Sequence, residues 1–173
     1  YAAGAGAGGL LVADRAGYRL AGSTETVGGY VDRVNPFTGA TVDDNANRER
    51  RDSVRAALAI APTDSMRITP AIYYQSVDVD DTSSFYTYLS DPGGVVLPSG
   101  KLLQQWATDR FYVPSVTIAA TLSFADVVST TAYVDRSANA VMDGTNNSFS
   151  FWPNPLGPEY PVSYTNARPV PVS

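Results

Sequence analysis

The residues that could do chemistry in this chain are glycines, carboxylates and aromatics, because it contains neither histidine nor cysteine. These absences remove the commonest general base, the commonest metal ligand and all thiolate chemistry. No serine therefore has a histidine to activate it, and no pair of carboxylates is spaced persuasively for acid–base catalysis. We expect that the chain is not an enzyme and holds no cofactor and no metal.

A glycine-rich segment at residues 4–9 formally satisfies the dinucleotide fingerprint G-x-G-x-x-G. That motif places pyrophosphate at the N-terminus of a helix that follows a strand. Residues 10–14 lead instead towards a second strand, so the pattern favours small residues in a crowded or tightly curved strand. We do not expect nucleotide binding.

Two acidic clusters, at residues 43–47 and 78–81, offer the oxygen ligands that Ca²⁺ prefers. Neither cluster has glycine in its place in the EF-hand loop, which favours solvated loop tips, but calcium binding stays open. The net charge is −5, and the twelve basic residues form no patch in the sequence. Nucleic acid is therefore not an expected partner, since counterion release needs clustered Lys and Arg.

Aromatic residues concentrate in the predicted connections and near the ends of the predicted strands. Packing of loops, or a girdle at a membrane interface, explains most of them. The candidates for stacking on a ligand are Tyr86, Tyr88, Trp106 and Trp152.

The elements that must position these residues are β-strands, because apolar and polar residues alternate with a period of two. One apolar surface is predicted from Val54, Leu58, Ile60, Ile68, Ile72, Val116, Ile118, Leu122 and Phe124. The opposite face includes Arg55, Arg67, Thr69, Tyr73, Gln75, Thr117 and Thr121. An arginine on this face requires that the face meets water.

Six strands are predicted, at residues 1–12, 16–33, 48–60, 66–80, 109–124 and 127–142. Tight turns at 13–15, 61–65 and 125–126 alternate with long connections at 34–47, 81–108 and 143–173. Outer-membrane barrels have this asymmetry, with short periplasmic turns and long extracellular loops. The predicted fold is all-β: an antiparallel meander of about six long strands from a transmembrane β-barrel. Residues 1–142 would form the barrel segment, and residues 143–173 a proline-rich outer loop or tail.

Several phrases resemble the TonB-dependent receptors of the outer membrane. They are GYVDRVNP at 29–36, RRDSVRAAL at 50–58 with APTD at 61–64, ITPAIYYQ at 68–75, and FAD at 124–126 with TTAYVDR at 130–136. The phrases cover most of residues 15–145, and their order and spacing carry the resemblance.

The resemblance implies a barrel of about twenty-two strands with a plug inside it. It further implies location in the outer membrane of a Gram-negative bacterium and energised uptake of an iron chelate, cobalamin or a glycan. Arg55, Arg67, Tyr73 and Gln75 would face the lumen. The implied partners are outer-membrane lipid, the rest of the barrel, the plug and, through the plug, TonB. The chain matches neither the plug nor the closing C-terminal strand, so we expect part of a receptor.

A second hypothesis is a released barrel fragment that assembles with copies of itself into a filament or oligomer with a structural role. Six alternating strands leave two unpaired edges and one apolar face, and both features recruit further chains.

Overall fold

The computed structural model describes residues 1–94 and 96–144, without the side chains of Tyr88 and Pro92. The larger sheet contains β1 (Ala2–Val12), β2 (Ala16–Val27), β5 (Glu49–Thr63), β6 (Met66–Val79), β8 (Ala107–Thr121), β9 (Asp126–Ala132) and β10 (Asp135–Ala140). A smaller sheet contains β3 (Asp32–Val34), β4 (Thr41–Asp43) and β7 (Pro98–Ser99). Two short 3₁₀ turns lie at Thr87–Leu89 and Pro92–Gly94.

The larger sheet is the predicted antiparallel meander, so the all-β prediction is confirmed. Its strand order is β1-β2-β5-β6-β8, and both β9 and β10 then pair with β8. Because β9 and β10 share one position beside β8, the sheet has the six predicted positions. The predicted tail lies outside the described residues from residue 145 on.

Several strand boundaries differ from the prediction. β5 extends to Thr63 rather than ending at residue 60, and the predicted strand 127–142 is divided into β9 and β10 at residues 133–134. β2 ends at Val27 rather than at residue 33, because Gly28 and Gly29 interrupt the strand. β8 ends at Thr121 rather than at residue 124, and the Leu122 amide instead donates to the Ala125 carbonyl at 2.8 Å to form the turn. Leu122 and Phe124 therefore lie in this turn and not on a strand face.

Aspartates shape two of the tight turns. Asp14 adopts φ 57°, a left-handed conformation that aspartate tolerates better than most residues, between β1 and β2. Asp64 lies in the turn between β5 and β6, where its carboxylate forms an ion pair with the Arg15 guanidinium at 3.1 Å. The predicted turn at 13–15 is confirmed, whereas the turn predicted at 61–65 is shorter and comprises residues 64–65, because β5 continues to Thr63.

Residues 4–9 lie inside β1, an edge strand that is exposed along its whole length. Gly9 pairs with Tyr18 across the β1–β2 ladder, and the Tyr18 ring lies 3.6 Å from the position of a Gly9 Cβ. A turn and β2 follow β1, so no helix N-terminus is present to receive a pyrophosphate. The glycines therefore lie in a strand, as predicted, but this strand is an exposed edge rather than a crowded one.

The chain divides into two compact units. The sheet unit comprises Tyr1–Thr26, Arg50–Val77 and Asp109–Ala138. The connecting unit comprises Val27–Glu49, Asp78–Thr108 and the described residues from Asn139 on. The sequence did not predict that the connections form a unit of their own.

Inside the connecting unit, the small sheet joins the two long connections through one pairing that the sequence did not predict. β3 pairs antiparallel with β4, and it pairs parallel with β7 through Asp32↔Pro98 and Arg33↔Ser99. Among the described residues, the buried apolar side chains are Val31, Ala46, Pro98 and Val141. The apolar core of the described chain thus belongs to this unit.

Candidate functional site

The polar face of the sheet unit collects most of the side chains that the sequence assigned to a water-filled interior. Cross-strand contacts define this face: the Ser23 and Ser53 hydroxyls lie 2.8 Å apart, and Arg51 lies 3.8 Å from Glu25. Arg55 follows Ser53 by two residues on β5, so its side chain points to the same side of the sheet. We call this surface the arginine face.

The arginine face continues across β6 and β8. Arg55 and Tyr73 line one open cavity of about 340 Å³ together with Val113 and Ser115. The Tyr73 hydroxyl donates to Oε1 of Gln75 at 2.6 Å, and its ring lies 5.7 Å from that of Phe111, centroid to centroid. The structure therefore brings together three of the four residues predicted to face the lumen.

The fourth, Arg67, has the same parity on β6 but lies near the tight turns. It lines a separate cavity of about 580 Å³ whose acidic members are Asp14, Asp64 and Asp126. Arg67 is exposed, and three acidic side chains line the same cavity at this end of the sheet. It is therefore a poor candidate for binding an anion.

The opposite face of the sheet unit is mainly apolar, as the alternation predicts, although the Arg50–Asp52 ion pair also lies on it at the start of β5. Tyr18, Leu20, Leu58 and Ile72 line a shallow depression of about 440 Å³ on it. Leu20 is 50% exposed and Ile72 is 44% exposed, which is far more than a packed core allows. We call this surface the apolar face.

The pairing of β8 with β9 shows which side chains of β8 lie on each face. Val116 and Ile118 pair with Thr131 and Ser129, while Thr117 pairs with Thr130. The two threonine hydroxyls lie 3.0 Å apart, so Thr117 points away from the valine and isoleucine on either side of it. The predicted separation of Val116 and Ile118 from Thr117 is confirmed.

The four candidate stacking aromatics do not form a described site. The Tyr86 ring lies beside Gly100, 2.7 Å from the position of a Cβ at that residue, and Tyr86 is half-buried. Trp106 is 37% exposed, and its carbonyl accepts a hydrogen bond from the Val141 amide. The side chain of Tyr88 and all of Trp152 lie outside the described residues. Ligand stacking by these residues stays a prediction.

The two acidic clusters that suggested calcium binding form ion pairs with an arginine. Arg48 lies 3.3 Å from Asp43 and 3.2 Å from Asp80, which come from the two different clusters. The hydrogen bond to Asp80, followed by the charge of Asp43, raises the pKa of the Arg48 guanidinium above its ordinary value. Across residues 1–94 and 96–144, no three acidic side chains are grouped as metal ligands.

Sequence reasoning missed the polar residues that organise the connecting unit. The Asn47 Oδ1 accepts hydrogen bonds from the Tyr30 and Val31 amides at 2.7 and 2.8 Å. The Asp143 carboxylate accepts from the Leu102 and Leu103 amides at 2.8 and 3.2 Å. Each of these side chains ties together segments that are far apart in the sequence. Asp143 precedes Gly144, which is a local turn signal, but no glycine or proline lies beside Asn47.

Asp81 has the most enclosed charge among these residues, with a side chain 3% exposed. Its Oδ1 accepts from the Thr82 and Gln105 amides, while its Oδ2 lies 3.2 Å from Nε of Arg33. Arg33 Nε and Asp81 Oδ2 nevertheless lack a partner with hydrogen-bond geometry. Because these two charged atoms lie 3.2 Å apart, the contact is an ion pair, although its angles do not suit a hydrogen bond.

The comparisons with known proteins supply no relative. The chain matches no protein-family model, no curated protein and no solved structure. Within the described ranges, none of the helical segments is long and apolar enough to span a membrane.

Proposed function

We propose that this chain is part of the wall of an outer-membrane β-barrel of the TonB-dependent receptor type, and that the receptor takes up a scarce nutrient. The observation that carries the proposal is the pair of unlike faces on the sheet unit. One face carries exposed apolar side chains, with the Arg50–Asp52 ion pair at the start of β5, and the other carries arginines, serines and a Tyr–Gln hydrogen bond. A barrel wall needs this division, because one face meets lipid and the other meets an aqueous interior.

Strand length supports the proposal. β1, β2, β5, β6 and β8 contain 11, 12, 15, 14 and 15 residues. About 9–11 tilted residues are enough to cross the hydrocarbon core of a bilayer. The strands of a globular sheet are usually about 5–6 residues long, so soluble packing does not require this length.

The lengths of the connections between strands also support the proposal. Turns of a few residues alternate strictly with connections long enough to build a compact unit. Outer-membrane barrels place short turns on the periplasmic side and long loops outside. In the proposed receptor, the connecting unit belongs to the extracellular loops, and the TonB-contacting plug belongs to another part of the protein.

The test introduces a charge on the apolar face of the chain refolded into lipid vesicles. Leu58→Arg should destabilise the sheet by about 2–4 kcal/mol if residue 58 lies near the bilayer midplane. Arg55→Ala, on the other face of the same strand, is the matched control and should cost much less. Urea unfolding in vesicles measures both values. Equal costs would contradict the assignment of the faces.

A second candidate function is self-assembly, which the edges of the sheet favour. β1 stands at one end of the strand order and β9 with β10 at the other. Because the sheet has six antiparallel positions, β1 of one copy is oriented to pair antiparallel with β9 and β10 of another. Ladders of this kind would satisfy the backbone groups of both edges.

Light scattering separates these functions from a soluble domain. We expect the chain at low micromolar concentration to remain dispersed with lipid or detergent and to associate without either. Filaments in negative-stain images of the lipid-free chain would favour self-assembly. A dispersed monomer that unfolds cooperatively without lipid would contradict both proposals, since the apolar face would then not need a partner.

A further inference from the structure

Two arginines of neighbouring strands lie side by side on the arginine face. The Arg15 carbonyl accepts from the Ala61 amide, and the Ser23 and Ser53 hydroxyls are in contact. Both pairs fix the same register between β2 and β5, so Arg55 lies opposite Ala21 and Arg19 lies opposite Ala57. Arg19 and Arg55 are therefore diagonal neighbours, which places their Cα atoms about 7–8 Å apart, within reach of long side chains.

The surface around this pair has little side-chain cover. Gly8 lies opposite Arg19 on β1, and Gly6 lies opposite Ala21. Gly6, Gly8, Ala21 and Ala57 therefore form a floor of small residues from which the two guanidinium groups project. A floor without bulky side chains lets a ligand approach the backbone closely.

The charge of this pair is not neutralised within the described chain. Arg19 and Arg55 are exposed and make no hydrogen bond or ion pair with any described residue. The carboxylates known to share this face are engaged elsewhere: Glu25 lies 3.8 Å from Arg51, and Asp109 contacts Arg136 at 2.6 Å. Two like charges on neighbouring strands destabilise a sheet, and an anion between them would remove that cost.

We propose that Arg19 and Arg55 together bind an oxyanion that carries at least two negative charges, and that the solute moving along this face is anionic. Guanidinium groups bind carboxylates and phosphates through two parallel hydrogen bonds, which makes two arginines a suitable clamp. The statement about the transported solute rests on the proposed function. The binding site itself rests only on the geometry of β1, β2 and β5.

Calorimetric titration tests the clamp with two probes, inorganic pyrophosphate and citrate. The whole chain is folded in a neutral sugar-based detergent, so that no lipid phosphate competes. We expect saturable binding of at least one probe, and Arg19→Gln and Arg55→Gln should each weaken it about tenfold, as loss of a charge-assisted bond predicts. The preferred probe distinguishes a phosphate from a carboxylate ligand. Arg50→Gln, on the opposite face of β5 and paired with Asp52, is the matched control and should leave affinity unchanged.

A second variant keeps both arginines and supplies an internal anion. Ala21→Glu places a carboxylate directly opposite Arg55, so it should abolish binding of both probes without removing a basic group. Absence of saturable binding in the unmodified chain, or equal affinity in all variants, would overturn the oxyanion site.

The two proposals fail differently. If the chain still requires lipid or detergent to stay dispersed but binds neither probe, the oxyanion site is wrong and the barrel proposal stands. If it binds a probe as a lipid-free monomer, the site is supported and the anionic transport route is overturned.

Discussion

In the connecting unit, Val31, Ala46 and Val141 are buried, and so are Asn47, Asp81, Ser99 and Asp143. In the sheet unit, the described residues include no buried apolar side chain, although the sheet contains the longest strands of the chain. The shorter, less regular segments thus contain the buried apolar residues, whereas the regular sheet has two open faces. Regular secondary structure and a packed core are separate properties, and here they lie in different units.

The difference has a physical origin in how each unit satisfies its backbone groups. A long antiparallel ladder pairs most of its own N–H and C=O groups, so the sheet needs few polar side chains for that purpose. Irregular segments must find other partners, and Asn47, Asp81 and Asp143 each accept two backbone amides in the connecting unit. Stability should therefore be concentrated in a few side chains there and spread along the ladder in the sheet.

The largest expected effect is the loss of Asp81. Asp81→Ala leaves the guanidinium of Arg33 without its carboxylate and the amides of Thr82 and Gln105 without their acceptor. Removing one partner of a buried ion pair costs about 3–5 kcal/mol. Hydrogen exchange at residues 82 and 105 should accelerate accordingly, while exchange in β5 and β6 changes far less. Uniform acceleration in both units would contradict the idea that each has its own stability.

Asp81→Asn is the control for charge in that experiment. It retains an oxygen that can accept from both amides but removes the ion pair with Arg33. We expect its destabilisation to fall between those of the native chain and Asp81→Ala. If Asn and Ala are equivalent, the ion pair rather than the amide acceptor stabilises this region.

A smaller effect is expected at Gly29, where two backbones approach closely. A Cβ at this position would overlap the Asn45 carbonyl oxygen, whereas a Cβ at Gly28 meets nothing within 4 Å. Gly29→Ala must therefore displace backbone in the connecting unit, at a cost of about 3 kcal/mol. Gly28→Ala is the neighbouring control and should be nearly neutral. Similar unfolding midpoints for the two variants would show that this approach is not rigid.

The sequence was sufficient to predict the meander, because alternation and turn residues are local signals. Val116, Thr117 and Ile118 each point to the predicted side, and Asp14 and Asp64 lie in predicted turns. These positions need only their neighbours along the chain and across one ladder to define them.

The connecting unit was not predictable in the same way. The Asn47 side chain bonds to residues 16 and 17 positions away, and Asp143 bonds to Leu102 across 41 positions. No local period reveals such pairs, and the acidic cluster at 78–81 favoured a solvated loop tip, with calcium binding left open. The Arg19–Arg55 pair was missed for a related reason, since the register between β2 and β5 depends on a connection of more than twenty residues.

The smallest expected effect concerns the Tyr18 ring, which lies over Gly9 on the edge of the sheet unit. An aromatic ring can protect a glycine on a neighbouring strand by covering its backbone, and cross-strand pairs contribute roughly 0.2–1 kcal/mol. Tyr18→Ala should therefore weaken the β1–β2 ladder by this amount, whereas Tyr18→Phe keeps the ring and should have little effect. Hydrogen exchange of the β1 amides in vesicles measures the change. Because β1 has one neighbouring strand among the described residues, the loss should stay local and leave β6 and β8 unchanged. If hydrogen exchange accelerated as much in β8 as in β1, the sheet would unfold as one cooperative body. The idea that stability is spread along the ladder in the sheet unit but concentrated in a few side chains of the connecting unit would then be wrong.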